Sequence, residues 1–382
     1  METATWGNQG KLTIRQKLWA LDWPLVTLIC VTAVIGIIIL LSSTNGQWEG
    51  LILRQSIRFG IALVAMIIIA LVDIRFWMRY AYTLYGAAFV MLVAVELMGS
   101  VGMGAQRWVD VGIIRLQPSE LMKVALVLAL SRYFHGCTLD DITRLRRLII
   151  PTGMIVCPVA LVLRQPDLGT AILLVFGGGA IFLLAGVKLW KFAAFVAVIV
   201  GSLPFAWRLL HDYQRERILT FLDPHRDPLG AGYHILQSKI ALGSGGVFGR
   251  GYMKGTQTHL NFLPEKQTDF AFTMLAEEFG LIGGLALLVL YTIILIYCIF
   301  MSLQARSHFA RLLGLGVANT YFLYVFINIA MVTGLIPVVG VPLPLISYGG
   351  TAMITLLAGF GLVMCVSIHR ETTIPRSQLW QP

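Results

Sequence analysis

Ten long apolar segments divide this chain of 382 residues and leave few folds open to it. About 20 apolar residues in a helix are enough to cross the hydrocarbon core of a bilayer. Because lipid offers no hydrogen-bond partner, a segment that crosses it must satisfy its own backbone groups, as an α-helix does. The sequence therefore predicts an all-α polytopic membrane protein with about ten transmembrane helices. The predicted spans are approximately Pro24–Ser42, Ile57–Val72, Tyr80–Leu97, Ser119–Phe134, Leu148–Leu163, Leu168–Val187, Phe192–Leu210, Phe272–Phe300, Leu312–Val332 and Leu345–Ile368.

The composition excludes most other classes of protein. Hydrophobic residues make up 57% of the chain and charged residues only 13%, whereas a soluble domain carries about 25% charged residues. The chain is also too apolar to be intrinsically disordered. Its net charge of +10 fits basic loops on the cytoplasmic side of a membrane, so no nucleic-acid partner is predicted. The five cysteines show no paired spacing, which argues against a disulfide framework or a zinc site.

The Lys and Arg residues of the short loops are concentrated on one side of the predicted membrane. Placing the N-terminus in the cytoplasm puts most of them inside, as the positive-inside rule requires. This orientation, with both termini in the cytoplasm, agrees with an even number of spans. We expect a single membrane domain over residues 1–382, with a cytoplasmic N-terminus at 1–23 and a cytoplasmic C-terminus at 369–382.

One connection is much longer than the others. Residues 211–270 lie between the seventh and eighth predicted spans, on the outer side of the membrane. Loops of this length are usually functional or disordered. This one contains an amphipathic stretch, Tyr233–Leu242, followed by a glycine-rich turn, Gly243–Gly251. We expect it to lie along the membrane surface and to form a lid.

Two charged residues open the fourth predicted span. Glu120 and Lys123 are three positions apart and therefore share a helix face. An ionisable residue at membrane depth is costly and indicates a functional site by default. Either the two charges only neutralise each other, or Lys123 binds an anion in a polar cavity open to the outer leaflet. Arg107 and Trp108 precede this span at the predicted outer interface, where such a pair often serves only as an anchor.

Two arginines, Arg54 and Arg58, precede or open the second predicted span on the outer side. Positively charged residues are unusual in the short loops on the outer side of a membrane. An anionic partner such as a phosphate group would explain them. Side chains that extend to the lipid headgroups would explain them equally well.

Asp269 lies where the long outer loop meets the eighth predicted span. The position suits a residue that caps the helix. It also suits a carboxylate that faces an outer cavity as a general base, because the helix N-terminus keeps it ionised at pH 7. Further along, Gly334–Gly350 contains three prolines and four glycines, which predicts a broken or re-entrant helix beside an internal cavity.

Five stretches, taken in order, resemble the SEDS family, the shape, elongation, division and sporulation proteins. They are GAQRWVDVGIIRLQPSELMK, RQPDLGTA, HDYQRERILTFLDPHRDPLGAGYHILQSKIALGSGGVFGRG, KGTQTHLNFLPEKQTDFAF and GVPLPLISYGGT. The resemblance runs from about Leu21 to Arg370. The run KGTQTHLNFLPEKQTDF is more similar to the rod-shape members than to the division members. Gln267 stands where the family usually has a histidine.

The resemblance implies a peptidoglycan glycosyltransferase that polymerises lipid II and releases undecaprenyl pyrophosphate during cell elongation and rod-shape maintenance. It implies a multi-pass protein of the bacterial inner membrane with its active site on the periplasmic side. The implied partners are a class B penicillin-binding protein (a transpeptidase), other membrane proteins of the elongation complex, the growing glycan chain and the lipid bilayer. The family's critical aspartate falls on Asp269, and its polar pair falls on Glu120 and Lys123.

Such a reaction needs a base for the attacking hydroxyl and cations for the leaving pyrophosphate. We expect Asp269 to be the general base and Glu120 to hold Lys123 in place. The candidate cations are Lys123 and Arg107, followed by Arg54, Arg58 and Lys239. A divalent cation could share the pyrophosphate charge, although the sequence shows no ligand cluster for one. Two alternatives stay open: a lipid II flippase or transporter, and a non-catalytic scaffold of the elongation complex.

Overall fold

A computed structural model describes residues 13–46, 48, 50–98, 100–102, 105–111, 114–194, 197, 201, 215, 219, 223, 231–256 and 267–375 of the chain. In chain order, the helices and strands are α1 (Ile14–Trp19), α2 (Trp23–Ser43), α3 (Leu51–Leu71), α4 (Ile74–Met98), β1 (Ser100–Gly102), β2 (Ala105–Val111), β3 (Ile114–Leu116), α5 (Pro118–His135), α6 (Leu139–Thr143), α7 (Leu145–Arg164), α8 (Leu168–Ala185), α9 (Ala231–Ser244), α10 (Ala271–Leu303), α11 (His308–Val332) and α12 (Gly350–Ile368).

Long apolar helices dominate the described part of the chain, which confirms the prediction of an all-α polytopic membrane protein. Eight of them are long and apolar enough to cross a membrane: α2, α3, α4, α7, α8, α10, α11 and α12. Each overlaps one of the predicted spans. The seventh predicted span, Phe192–Leu210, falls largely outside the described residues, as does almost half of the long loop at 211–270. The count of ten spans therefore stays a prediction.

The fourth predicted span corresponds to α5, which occupies the centre of the bundle. Its 18 residues include Glu120, Lys123 and Arg132, so it is less apolar than its neighbours. It packs against α4, α8 and α11, and most of its side chains are buried. Because protein rather than lipid surrounds α5, its charged side chains can find polar partners at membrane depth.

A small antiparallel sheet, which the sequence analysis does not predict, fills the connection between α4 and α5. The strand β2 pairs with both β1 and β3, with Ser100 opposite Trp108 and Val109 opposite Leu116. The motif that contains Arg107 and Trp108 is therefore part of a strand. Antiparallel pairing satisfies the backbone of this short connection locally.

The glycine-rich turn after α9 packs into a break in α10. Gly280 has a non-helical backbone (φ 66°, ψ −164°) inside α10, and a Cβ there would lie 2.3 Å from the nitrogen of Gly249. Four backbone hydrogen bonds of 2.9–3.2 Å join the turn to the helix on both sides of the break. From N–H to carbonyl, they are Leu281 to Gly246, Ile282 to Val247, Arg250 to Glu277, and Gly251 to Glu278. The break thus has its backbone groups satisfied by the turn.

The backbone between α11 and α12, residues 333–349, is irregular and is buried mainly in its second half, and we call it the re-entrant loop. Val341, Leu343 and Ser347 are each at most 3% exposed. Side chains from the surrounding helices satisfy this backbone. Tyr291 of α10, for example, donates to the carbonyl of Pro344 at 2.7 Å. The prediction of broken helix at 334–350 is confirmed, and α12 begins at Gly350 rather than at Leu345.

Several segments that connect the helices meet the re-entrant loop at one end of the bundle. We call this end of the bundle the site end. The re-entrant loop contacts α3 through Gln55 and the start of α8, where a Cβ on Gly169 would lie 2.5 Å from the carbonyl of Val339. The turn before α10 also contacts the loop, through Gln267. Segments far apart in sequence therefore converge around the re-entrant loop.

Candidate active site

Asp269 lies at the site end, in the turn 267–270 that leads into α10. Its backbone carbonyl accepts a hydrogen bond from Nδ2 of Asn328, on α11, at 2.9 Å. The same amide nitrogen donates to the carbonyl of Val341 in the re-entrant loop at 2.7 Å. Asn328 is fully buried, so it joins the turn, α11 and the loop. The Asp269 side chain is half-buried, and the N-cap of α10 is the next residue, Phe270.

The re-entrant loop passes directly beside the Asp269 carboxylate. Gly340 has φ +72°, and a Cβ built on it would lie 3.5 Å from Oδ2 of Asp269. A positive φ is readily adopted by glycine and strained for other residues. The bare backbone at Gly340 therefore lets the loop approach the carboxylate without covering it with a side chain.

Arg58 reaches the same loop from α3. Its Nη1 donates to the hydroxyl of Tyr348 at 3.1 Å, and its guanidinium carbon lies 5.6 Å from the centre of the tyrosine ring. The backbone N–H of Tyr348 donates in turn to the carbonyl of Gln267 at 2.7 Å. Tyr348 thus contacts both the half-buried Arg58 cation and the turn that carries Asp269.

Glu120 and Lys123 form a second polar group, enclosed within the bundle. Lys123 Nζ lies 2.7 Å from Glu120 Oε1, and the hydroxyl of Tyr324 on α11 is hydrogen-bonded to both. Lys123 and Glu120 are 3% and 4% exposed. The ammonium also lies 4.4 Å from the centre of the Tyr324 ring. The two charges neutralise each other here, and Lys123 is not presented to solvent in this conformation.

Of the other three candidate cations, Arg54 and Lys239 are not part of either group in the described residues. Arg54 is exposed and donates from Nε to the carbonyl of Gly50, one turn back, at 3.1 Å. Lys239 is exposed on α9, a helix that is attached to the bundle by Ser238 through hydrogen bonds of 2.8 Å to Thr273 and to the carbonyl of Val332. Arg107 lies on β2, and its side chain is outside the described residues.

Four polar contact residues at these two groups were missed by the sequence analysis: Gln55, Tyr324, Asn328 and Tyr348. Tyr324 and Asn328 are one turn apart on α11 and so share a helix face. Asparagine inside an apolar segment is the signal that could have identified Asn328, because an amide at membrane depth needs partners. Tyrosines are common in such segments and gave no signal of their own.

No group of three or more His, Cys, Asp or Glu side chains that could hold a metal ion occurs in the part of the chain that the structure describes. The chemical groups that the site end offers are the Asp269 carboxylate beside the backbone of Gly340 and the Arg58 guanidinium of α3, which contacts the same re-entrant loop. A carboxylate can accept a proton, and a guanidinium can bind an anionic oxygen through paired N–H groups.

Three comparisons with known proteins agree with this fold. The chain is 43% identical over 366 residues to peptidoglycan glycosyltransferase MrdB of Escherichia coli (strain K12), covering 95% of this chain and 98% of that protein. A chain from a structure described as "Structural coordination of polymerization and crosslinking by a peptidoglycan synthase complex" matches with a TM-score of 0.80 and 34% identity, over 92% of this chain and 98% of that one. The rod shape determining protein RodA of Thermus thermophilus matches with a TM-score of 0.69 and 29% identity, over 92% and 98%.

The fold and the charged groups at its site end define an integral membrane protein with a polar site at one end of a helix bundle. Residues 17–372 match the family described as "Cell cycle protein", which unites FtsW, RodA and SpoVE. The chain belongs to this family, which confirms the resemblance found in its sequence motifs.

Proposed function

We propose that this protein is a peptidoglycan glycosyltransferase that polymerises lipid II, with Asp269 as its general base. One observation carries the assignment of the base: the Asp269 carboxylate is half-buried in a turn fixed by Asn328, beside the bare backbone of Gly340. Membership of the family and the 43% identity to a peptidoglycan glycosyltransferase support the activity. The motif match supports a role in cell elongation.

In the proposed reaction, a sugar hydroxyl attacks the anomeric carbon of a lipid-linked sugar. The new bond forms between the hydroxyl oxygen and the anomeric carbon, while the bond from that carbon to the pyrophosphate oxygen breaks and leaves its electron pair on the pyrophosphate. Asp269 accepts the hydroxyl proton, a contribution typically worth about 10²–10⁴-fold in rate. Direct displacement inverts the anomeric centre, by analogy with inverting glycosidases.

The leaving pyrophosphate needs positive charge near it. Of the candidate cations, Arg58 is the one whose described contacts bring it to the loop beside Asp269, so we assign it the first role in binding the pyrophosphate. Lys123 and Glu120 contact α11 through Tyr324, one turn from Asn328. We therefore propose that this pair acts by fixing α11. Arg107, Arg54 and Lys239 remain secondary candidates. No metal ligand is assigned, and assays with and without a chelator test whether the pyrophosphate requires a divalent cation.

We propose that the protein resides in the bacterial inner membrane with both termini in the cytoplasm and the site end on the periplasmic side. The proposed partner is a class B penicillin-binding protein, within a larger elongation complex. A structural relative that belongs to a peptidoglycan synthase complex supports this partnership. Co-purification with the transpeptidase, and labelling of single cysteines from each side of the membrane, test the two statements.

The activity is tested with the purified full chain, alone and with its partner transpeptidase, in detergent or lipid. Labelled lipid II is supplied and glycan chains are separated on a gel. We expect polymer from the wild type and none above background from Asp269→Asn. The matched control is Glu96→Gln, because Glu96 is an exposed carboxylate near the end of α4. It should behave as the wild type.

Each alternative function has its own outcome in this experiment. Polymer from both the wild type and Asp269→Asn would remove the assignment of the base. No polymer from either protein, together with movement of lipid II across vesicle membranes, would favour a flippase. Normal growth of cells that carry Asp269→Asn, with growth lost only in variants that disrupt partner contacts, would favour a scaffold.

A further inference from the structure

Arg58 is a cation without an acidic partner in the described part of the chain. Its side chain makes one hydrogen bond there, to the hydroxyl of Tyr348, and the ion pairs found in those residues do not include it. Its side chain is half-buried. A half-buried guanidinium that makes only one hydrogen bond keeps its other N–H groups available for a bidentate contact with an anionic group.

The start of α12 is built closely around this guanidinium. A Cβ on Gly350, the first residue of α12, would lie 2.7 Å from Nη1 of Arg58. A side chain at residue 350 would therefore displace the guanidinium from this position. The guanidinium also lies at the N-terminal end of the helix, which is itself positively polarised. The Arg58 guanidinium and the N-terminal end of α12 repel each other, and an anion bound between or beside them would relieve this repulsion.

Tyr348 is the residue that sets the position of this cation. Its ring lies beside the guanidinium and its hydroxyl accepts the Arg58 hydrogen bond, while its backbone N–H holds the carbonyl of Gln267. The hydroxyl thus fixes the guanidinium, and the backbone fixes the turn that carries Asp269. A single residue sets both positions through two separate groups, and these can be changed independently.

We infer that Tyr348 is a positioning residue whose hydroxyl holds the Arg58 guanidinium where the pyrophosphate group of the substrate binds. The inference rests on the proposed function for the identity of the substrate, and on the contacts of Arg58 for the anion site. Tyr348 acts through Arg58 and is not itself a catalytic residue.

The test is Tyr348→Phe in the purified full chain, because phenylalanine keeps the ring and the backbone N–H and removes only the hydroxyl. We expect KM for lipid II to rise about tenfold, since a hydrogen bond to a charged group is lost, while kcat stays within about twofold. Binding of farnesyl pyrophosphate, measured by calorimetry, should weaken by a similar factor. Binding of farnesol, which lacks the pyrophosphate, should not change.

The matched control is Tyr291→Phe. Tyr291 also donates its hydroxyl to the re-entrant loop, at the carbonyl of Pro344, 2.7 Å away, but it is buried and is not a hydrogen-bond partner of Arg58. A role limited to loop stability would make the two variants alike. We expect Tyr291→Phe to lower the melting temperature and to leave KM and pyrophosphate binding unchanged.

A double-mutant cycle with Arg58→Gln completes the test. If Tyr348 acts through Arg58, adding Tyr348→Phe to Arg58→Gln has no further effect on KM. Independent, multiplicative effects of the two substitutions would overturn the inference, as would wild-type KM in Tyr348→Phe. If Tyr348→Phe does not fold, Gly350→Ala displaces the same guanidinium, and it should weaken farnesyl pyrophosphate binding. Wild-type binding in that variant would also overturn the inference.

The binding measurement separates this inference from the proposed function. If the wild type makes no polymer yet Tyr348→Phe weakens pyrophosphate binding, the proposed function fails and the anion site stands. If the wild type makes polymer and Tyr348→Phe binds pyrophosphate normally, the proposed function stands and the inference fails.

Discussion

In the described part of this helix bundle, two groups of charged residues differ in their burial and in the partners of their cations. Glu120 and Lys123 are enclosed, 4% and 3% exposed, and are bonded to each other and to Tyr324. Asp269 and Arg58 are half-buried at the site end, where Arg58 contacts a tyrosine rather than an acid. An internally neutralised pair has little capacity left for a ligand, whereas a half-buried guanidinium without an acidic partner among the described residues can bind an external anion. A charged residue at membrane depth therefore indicates a site of interest, and the partners of that residue indicate whether it stabilises the bundle or binds a ligand.

The largest expected effect is on catalysis, at Asp269. Asp269→Asn should lower kcat by about 10²–10⁴-fold, because the amide cannot accept the proton. The melting temperature should change little, since the substitution is isosteric and the side chain is half-buried. Polymerisation rates and thermal unfolding in the same detergent check both parts. A large fall in melting temperature would place Asp269 with the enclosed pair and break the comparison.

The enclosed pair should show the opposite pattern. Lys123→Met leaves the Glu120 carboxylate buried without its cation, which typically costs about 3–5 kcal/mol of stability. Thermal unfolding monitored by size-exclusion chromatography measures the loss. The matched control is the double variant Glu120→Gln with Lys123→Met, which removes both charges and should recover most of the stability. If the double variant is stable but lacks all activity, Lys123 has a direct role in the reaction.

Arg58 and Arg54 offer a narrower test, because they lie one turn apart on α3. Arg58 contacts Tyr348, whereas Arg54 bonds to a carbonyl of its own turn. Arg58→Gln should raise KM for lipid II by about tenfold or more through loss of charge-assisted hydrogen bonds. Arg54→Gln should have a clearly smaller effect. Equal effects of the two substitutions on KM would show that proximity to the re-entrant loop does not select the binding cation.

The smallest expected effect is at the backbone beside Asp269. Gly340→Ala places a methyl group against the carboxylate and strains a residue at φ +72°, at a cost of about 1–3 kcal/mol. Gly246→Ala is the matched control, because Gly246 has φ +53° with open space around its Cβ position. Both variants should lose stability, and only Gly340→Ala should also lose kcat, by a few-fold. Unchanged kcat in Gly340→Ala would show that the carboxylate does not depend on this contact.

Much of the fold follows from the sequence, because each membrane span must satisfy its own backbone. That local requirement locates α2, α10 and the other apolar helices, with boundaries that are off by at most six residues, as at the start of α3. The same reasoning predicts the irregular backbone at 334–350 from its prolines and glycines. It fails for the sheet around Arg107, where the pairing of three very short strands depends on neighbours rather than on the segments themselves.

The sequence by itself determined the class of protein, the family and the residue types available for chemistry, because apolar length and motif order are properties of the chain alone. Only the tertiary structure decided which charges meet. Glu120 and Lys123 are neighbours on one helix, so their pairing was foreseeable. Their bond to Tyr324, and the link from Arg58 through Tyr348 to the turn of Asp269, join residues about 80 to 290 positions apart along the chain. Such contacts depend on how the helices pack, and no local pattern encodes them.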